Sequence, residues 1–204
     1  MTKKYISIVF DDGPRQPMHE MIDKFIEFDY KCGFAIVSNR FAFEDLSVLK
    51  HAIDNGFELC SHSHSHPRIT ELDKETATKE MLTPISEVEK LFGYKIKTAR
   101  LPYLFINENL SQISIENNLP LLGHGIAGAP DWDENTPSKL ISDSIQEAYD
   151  GTIIAYHVTN TTCNALNDML SYLKMNNFEV VTPSELFKIK NVKEIPLGVN
   201  IHKV

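Results

Sequence analysis

The sequence predicts an α/β fold, in which short buried strands alternate with amphipathic helices around a mostly parallel sheet. The first observation is a series of short apolar runs rich in β-branched residues, each followed by a segment whose apolar residues recur at helical spacing. The second is length, because 204 residues suffice for one sizeable core. No linker, repeat or low-complexity stretch interrupts this alternation, so we expect a single domain over residues 1–204.

The composition is that of a globular protein and disfavours several partners. Hydrophobic residues make up 42% and charged residues 24% of the chain, and the formal net charge is −8. An acidic balance disfavours nucleic acid and anionic membranes, because phosphate binding requires a basic face. We find no membrane-length apolar run and no signal peptide, and the three cysteines are scattered. These features predict no membrane insertion, reduced thiols and a cytoplasmic location.

The first half of the chain predicts three strands and two helices. Residues 4–10 form an apolar strand, which Asp11-Asp12-Gly13-Pro14 is expected to end because glycine and proline interrupt regular structure. The elements that follow are a helix, a strand, a second helix and a third strand, at 18–28, 33–37, 46–54 and 57–60.

The second half continues the alternation as far as residue 189. Asp73 can cap a long helix that ends at Gly93, and Pro84 is predicted to kink or break it. Strands are then predicted at 96–100, 119–124, 152–156 and 178–181. Helices are predicted at 107–117, 140–149 and 166–173, and a last one opens at Thr182. A loop covers 125–137, and the tail 190–204 is assigned no role.

The stretch after the third strand carries histidines at alternate positions, His62, His64 and His66. If the stretch were a helical turn, His62 and His66 would share one face and could bind a metal, while His64 would point away. The glutamate of the helix-borne zinc proteases is absent, so a base and a third ligand would come from elsewhere. A histidine-rich surface loop without a ligand is the alternative.

Polar residues of other types also fall where predicted strands end. The candidates at or just past these ends are Asp11, Asp12, His62, His66, Arg100, Asp131 and His157. In parallel α/β folds this edge of the sheet is where sites are built. Two imidazoles with one carboxylate suit a catalytic zinc, and the same ligands accept cobalt, nickel or iron. Each residue alone has an ordinary structural explanation, and only the combination indicates a site.

Five short motifs follow one another in a defined order. They are Phe10-Asp11-Asp12-Gly13-Pro14, His62-Ser63-His64-Ser65-His66-Pro67, Arg100-Leu101-Pro102-Tyr103, Asp131-Trp132 and Ala155-Tyr156-His157. This set resembles that of the polysaccharide deacetylases, carbohydrate esterase family four, over residues 5–189. The resemblance implies an irregular parallel (β/α) barrel with about seven strands. It also implies metal-dependent hydrolysis of acyl groups, above all N-linked acetyl, on a carbohydrate that contains amino sugars.

The resemblance implies a role for each motif residue. The metal, above all zinc, would be held by Asp12, His62 and His66. Asp11 would be the general base, kept ionised and oriented by Arg100.

The remaining implied roles concern the leaving group and the pocket. His157 would be the general acid, with Asp131 favouring its imidazolium form. The backbone amide of Tyr103 would help to bind the oxyanion, and Trp132 would line the pocket.

The chain departs from the family pattern at three places. Gly128 stands where an aspartate is usual, and Leu104-Phe105 stands where a glycine usually follows the third motif, which is expected to narrow the groove. Ala155 replaces a leucine that packs on the acyl methyl group, so we expect more room there, enough for acyl groups larger than acetyl.

Three functional interpretations remain open at this point. The first is a deacetylase of N-acetylated oligosaccharides or glycolipid precursors. The second is a catalytically silent carbohydrate-binding protein on the same fold, and the third is a hydrolase of a small non-sugar amide. The histidines outside the motifs, His19, His51, His124 and His202, are expected to be surface or hydrogen-bonded polar residues.

Overall fold

The computed structural model describes residues 2–126 and 128–204. Its strands are β1 (Lys4–Gly13), β2 (Gly33–Ile36), β3 (Glu58–Ser61), β4 (Leu121–Leu122), β5 (Ile153–His157), β6 (Phe178–Val181) and β7 (Asn200–Ile201). Its helices are α1 (Met18–Glu27), α2 (Ser47–Asp54), α3 (Lys74–Phe92), α4 (Glu108–Glu116), α5 (Ser138–Ser144), α6 (Asn160–Met175) and α7 (Pro183–Ile189). None of the helices in this described part combines the length and hydrophobicity of a membrane-spanning segment.

The main sheet is parallel and runs in the order β3-β2-β1-β5, with β6 paired to the first residues of β1. A second parallel pair is formed by β4 and β7. Single bridges connect the two sheets, between Ser61 and Ala99, Ala99 and Leu121, and Thr152 and Lys203. This arrangement confirms the predicted α/β fold. The sheet is irregular, as expected of the predicted (β/α) barrel, because only single bridges, not full ladders of hydrogen bonds, join the β3-β2-β1-β5 sheet to the β4–β7 pair.

The central strand β1 sets the position of the site. Ile8, Val9 and Phe10 are fully buried, as expected for a parallel strand covered on both faces. The Phe10 ring lies 5.6 Å from the ring of Phe25 in α1, edge to face, and 5.6 Å from that of Phe34 in β2. Truncating such a buried phenylalanine to alanine costs about 3–5 kcal/mol. The packing therefore holds the end of β1 firmly.

The predicted caps of the long helix are confirmed. The Asp73 carboxylate accepts a hydrogen bond from the Thr76 amide at 2.9 Å, and Gly93 ends α3 in the left-handed conformation at φ 65°. Of the two alternatives predicted at Pro84, a kink or a break, the break does not occur, because the helix continues through this residue. The helix start predicted at Thr182 is also confirmed, and a capping box between Thr182 and Glu185 opens α7.

Several element bounds differ from prediction. The strand predicted at 96–100 reduces to bridges at Ala99, and β4 is only two residues long, because Pro120 next to it has no N–H to extend the ladder. Helix α6 begins six residues before its predicted start, since Thr159 caps the Thr162 amide and the polar residues after it form the first turn. The tail, assigned no role, supplies β7.

Candidate functional site

The two aspartates of the first motif lie inside β1 rather than in a turn after it. The strand continues to Gly13, and its register with β2 shifts between Phe10 and Gly13. Within this irregular stretch Asp12 has a left-handed backbone at φ 71°. Such a bulge re-aims side chains at the end of a strand. Asp11 and Asp12 therefore both contribute to the same pocket.

The histidine stretch is not helical, so the helical turn considered for it is wrong. The side chains of His62 and His66 nevertheless converge. His62 directly follows β3, and left-handed residues at Ser63 (φ 68°) and His66 (φ 58°) bend the chain back. The Ser63 hydroxyl accepts a hydrogen bond from the His66 amide at 2.9 Å. His64 points away as expected, and its Nδ1 lies 2.8 Å from the Ser38 hydroxyl.

Left-handed backbone is concentrated around the site. The non-glycine residues in this conformation that lie in or beside the pocket are Asp12, Ser63, His66, Tyr103 and Leu104. Each such residue costs on the order of 1–3 kcal/mol and persists only where surrounding contacts enforce it. Clusters of this kind are typical of functional sites.

Three candidate metal ligands face one another. Nε2 of His66 lies 3.5 Å and Nε2 of His62 4.0 Å from Oδ1 of Asp12, and one ligand atom from each residue lies within 4.8 Å of the others. Nδ1 of His62 donates to the carbonyl of Arg100 at 2.7 Å, which leaves Nε2 as the unprotonated nitrogen. Burial, which outweighs the nearby Asp11 and Asp12, lowers the pKa of His62. The neutral imidazole is the form that binds metals.

Asp11 and Arg100 form a buried ion pair beside these ligands. Nε of Arg100 lies 2.7 Å from both carboxylate oxygens of Asp11, and its Nη1 donates to the carbonyl of Gly123 at 2.7 Å. Burial alone would raise the pKa of Asp11, but the charges of Arg100, His62 and His157 outweigh it and hold the pKa below its ordinary value. The carboxylate is thus ionised and oriented.

His157 and Asp131 form a second pair on the other side of the pocket. Asp131 accepts hydrogen bonds from Nδ1 of His157 at 2.9 Å, from the His157 amide at 2.6 Å and from the Thr162 hydroxyl at 2.8 Å. Burial lowers the pKa of His157, but the hydrogen bond to Asp131 and the charges of Asp11, Asp131 and Asp12 outweigh it, so the pKa is raised. This arrangement favours the imidazolium form of His157.

All ten candidate residues line one pocket of about 600 Å³. Its opening carries the exposed aromatic side chains of Tyr103, Phe105 and Trp132. The Tyr103 ring lies 5.0 Å from the His66 ring, and the Trp132 ring lies 5.7 Å from that of His157. A larger groove of about 980 Å³ lies beside the residues that precede Ala99 and β4. It contains none of the motif residues, so the smaller pocket is the candidate site.

His124 was not expected in the site, and the structure places it in the wall of this pocket. Its Nδ1 accepts a hydrogen bond from the Ala155 amide at 2.9 Å. Sequence analysis missed it because none of the five motifs contains it and its position depends on the packing of the C-terminal segment.

A second group of ligand-type residues, His19, Asp23 and His51, lies on α1 and α2 outside the pocket. The imidazole rings of His19 and His51 stack with centroids 4.4 Å apart and planes 2° apart. A metal ion cannot lie in both of two parallel ring planes, so their lone pairs do not converge on it. Asp23 instead accepts a hydrogen bond from Nε2 of His51 at 2.9 Å, and its other oxygen lies 3.3 Å from Nδ1 of His19. These two histidines are hydrogen-bonded surface residues, as predicted.

Comparison with known proteins identifies the family. The polysaccharide deacetylase family matches residues 1–122, and the chain belongs to this family, carbohydrate esterase family four. A bifunctional xylanase/deacetylase of Pseudobutyrivibrio xylanivorans is 26% identical over 93% of the chain, and peptidoglycan-N-acetylmuramic acid deacetylase PdaC of Bacillus subtilis is 26% identical over 94%. The chain spans only 31% and 40% of the lengths of these relatives.

Solved structures show the same fold over the whole chain. The Xyl-CE4 domain of a multidomain xylanase from the hindgut metagenome of Trinervitermes trinervoides superposes with a TM-score of 0.91 at 25% identity, covering 99% of this chain and 98% of that one. A family 4 acetyl xylan esterase from Clostridium thermocellum, in complex with a cobalt ion, superposes with a TM-score of 0.89 at 25% identity, covering 98% and 99%.

Proposed function

We propose that the protein is a metal-dependent deacetylase that removes acetyl groups from N-acetylated amino sugars in a carbohydrate. The observation that carries this proposal is the meeting, in one pocket, of three complementary groups of side chains. They are the ligand set of Asp12, His62 and His66, the Asp11–Arg100 ion pair and the His157–Asp131 pair. Membership of the polysaccharide deacetylase family supports it.

The ligand set fits a divalent metal. Two neutral imidazoles and one carboxylate form a three-ligand set that leaves a position open in catalytic zinc sites, and cobalt, nickel and iron accept the same set. The distances between the ligand atoms, 3.5 Å and 4.0 Å from Asp12, allow the small inward movement that such coordination requires. When bound, the metal would polarise the acyl carbonyl and lower the pKa of a water molecule toward about 7.

Asp11 and His157 are the proposed proton carriers. Asp11, kept ionised by Arg100, accepts the proton of the attacking water as general base. His157, whose imidazolium form is favoured by Asp131, gives a proton to the nitrogen of the leaving amine, because an amine leaves poorly as an anion. The backbone N–H of Tyr103 donates to the oxygen on which negative charge develops.

The rim of the pocket supports a carbohydrate substrate. Tyr103, Phe105 and Trp132 expose 52%, 58% and 63% of their surface, and a group of exposed aromatic residues of this kind is typical of a binding surface. Aromatic rings at such an opening can pack on the apolar faces of sugar rings while the polar groups of the sugar stay hydrated. The neighbouring Leu104 also lines the pocket.

A second candidate is hydrolysis of acetyl esters on a xylan-type polysaccharide. It is favoured by the names of two similar proteins, a xylanase/deacetylase and an acetyl xylan esterase. The same residues would perform it, although the alkoxide that leaves needs less help from His157 than an amine does. Amide substrates are preferred in the proposal because the His157–Asp131 pair raises the pKa of the proton donor.

A substrate comparison on one preparation tests the proposal. Oligomers of N-acetylglucosamine are assayed for free amine, and acetylated xylo-oligosaccharides for released acetate. We expect the amide substrates to have the higher kcat/KM. Faster release from the esters would favour the second candidate, and no release from either would favour the silent carbohydrate-binding protein or the hydrolase of a small amide.

Two variants of the same motif provide matched controls. His62→Ala removes a proposed ligand and should abolish acetyl release, whereas His64→Ala removes a histidine that contacts Ser38 instead and should retain it. Equal loss of acetyl release in both variants would mean that the histidines stabilise the local structure and that His62 is not a metal ligand.

A further inference from the structure

His124 fills a gap between two backbone segments of the pocket wall. On one side its Nδ1 lies 2.9 Å from the amide nitrogen of Ala155. On the other side, a Cβ atom added to Gly128 would lie 2.9 Å from Nε2 and 3.4 Å from Cε1 of the same ring. The imidazole therefore spans the distance between Gly128 and Ala155, two positions that carry no large side chain.

The protonation state of this ring is defined by its neighbours. The Ala155 N–H can only donate, so Nδ1 is unprotonated and the ring proton lies on Nε2. Burial, reinforced by the charge of Arg100, lowers the pKa of His124 to about 4. Nε2 faces Gly128 at the other end of the ring. The ring is thus a neutral donor in the pocket wall.

The C-terminal segment fixes the loop that carries His124. The His124 amide donates to Nδ1 of His202 at 3.0 Å, directly after the pairing of β4 with β7. A Cβ atom at Gly123 would lie 2.5 Å from Nδ1 of His202, and one at Gly125 would lie 2.5 Å from its carbonyl oxygen. Because neither position has room for a side chain, the loop and the tail pack closely and hold His124 in place.

We propose that His124 is a specificity-determining residue of the pocket. Its imidazole lines the pocket and occupies the space left open by Gly128 and Ala155. The proposal rests on the proposed function and on the family resemblance, which implies that the acyl methyl group packs at the position of Ala155. It follows that the chain selects acetyl over longer acyl groups, and that the extra room expected from Ala155 is taken up by this ring.

Two substitutions separate the parts of this proposal. In His124→Asn, the carboxamide oxygen can still accept the hydrogen bond from the Ala155 amide, but the atoms Cε1 and Nε2 of the ring are missing. In His124→Gln, the longer side chain restores bulk and an N–H near the position of Nε2. His51→Asn, on the outer surface, is the matched control. Circular dichroism and thermal unfolding establish that each variant folds.

The first readout is kcat/KM for glucosamine oligomers that carry acetyl, propionyl or butyryl groups. One methylene group in an apolar pocket is worth roughly 10–200-fold in discrimination. We therefore expect the butyryl-to-acetyl ratio to rise about tenfold or more in His124→Asn and to stay near the native value in His124→Gln and His51→Asn.

The second readout needs no turnover. Calorimetry on metal-loaded protein gives the affinities for acetate, propionate and butyrate, and the same change in ratio is expected in His124→Asn. If the native protein releases no acyl group, the proposed function fails, whereas the carboxylate series still tests the pocket. The inference is overturned if native protein does not bind acetate more tightly than butyrate, or if folded His124→Asn keeps the native butyrate-to-acetate affinity ratio.

Discussion

Replacing Arg100 by methionine tests the buried ion pair on which the ionised state of Asp11 depends. Nε of Arg100 lies 2.7 Å from both oxygens of Asp11, and the two side chains are each only 5% exposed. Methionine is also long and flexible, so the substitution removes the charge and leaves a buried carboxylate without its cation. Removing one partner of a buried pair costs about 3–5 kcal/mol. We expect the free energy of unfolding at pH 7 to fall by about that amount.

The pH dependence of this loss has a defined sign. In the native protein the pKa of Asp11 is lowered, so its stabilising contribution is present above the unfolded value of about 3.9 and is lost as pH falls through the folded value. In Arg100→Met, burial without the arginine favours the protonated carboxyl group. The difference in stability between the two proteins should therefore be largest near neutral pH and shrink below about pH 4.

Urea unfolding with a chelator present measures this difference without a contribution from bound metal. The double variant Asp11→Asn/Arg100→Met is the control, and it should be more stable than Arg100→Met alone because it leaves no charge buried without a partner. A loss below about 1 kcal/mol at pH 7, the size expected of an exposed pair, would refute the reasoning. A loss that does not change with pH would refute it as well.

Three further substitutions separate the proposed roles. Asp12→Ala should lose metal and deacetylation together, and one equivalent of metal retained in the variant would contradict the ligand role. Asp11→Asn should keep the metal but lower kcat by about 10²- to 10⁴-fold, the usual contribution of general-base catalysis, and unchanged activity would remove Asp11 from the mechanism. Asp131→Asn removes the carboxylate that raises the pKa of His157. The alkaline limb of the kcat profile, where the imidazolium loses its proton, should then move to lower pH, and an unmoved limb would assign it to another group.

The parts of the fold that the sequence predicts well are those with strong local signals. Strand β1 was predicted because Ile6, Ile8, Val9 and Phe10 form a mostly β-branched, apolar run, the pattern of a central parallel strand. Helix α3 was predicted with its bounds because Asp73 and Gly93 are both strong helix-end residues. The start of α7 after Thr182 was predicted for the same reason, because threonine is a strong N-cap residue.

The elements that were missed depend on contacts distant in sequence. Strand β7 has only two residues, Asn200 and Ile201, and it exists because β4 offers an edge to pair with. The bend between His62 and His66 requires left-handed backbone at Ser63 and His66, a conformation that few non-glycine residues adopt without tertiary contacts. Tertiary hydrogen bonds, such as that of the Asn39 amide to the His64 carbonyl at 2.9 Å, enforce the bend.

The candidate site was predicted from the sequence as a set of residue types in order, and the structure adds how they meet. The hydrogen bond from His62 to the Arg100 carbonyl, which leaves Nε2 free, is not visible in any motif. The place of His124 could not be predicted either, because it depends on the packing of the tail against Gly123 and Gly125.

The most direct test of the proposed function is elemental analysis of the purified protein together with amine release from N-acetylglucosamine oligomers, with and without chelator. We predict one equivalent of a divalent metal, amine release that the chelator abolishes, and recovery when zinc or cobalt is added back. Amine release that persists in metal-free protein, or bound metal without release from any acetylated carbohydrate, would contradict the proposed metal-dependent deacetylase.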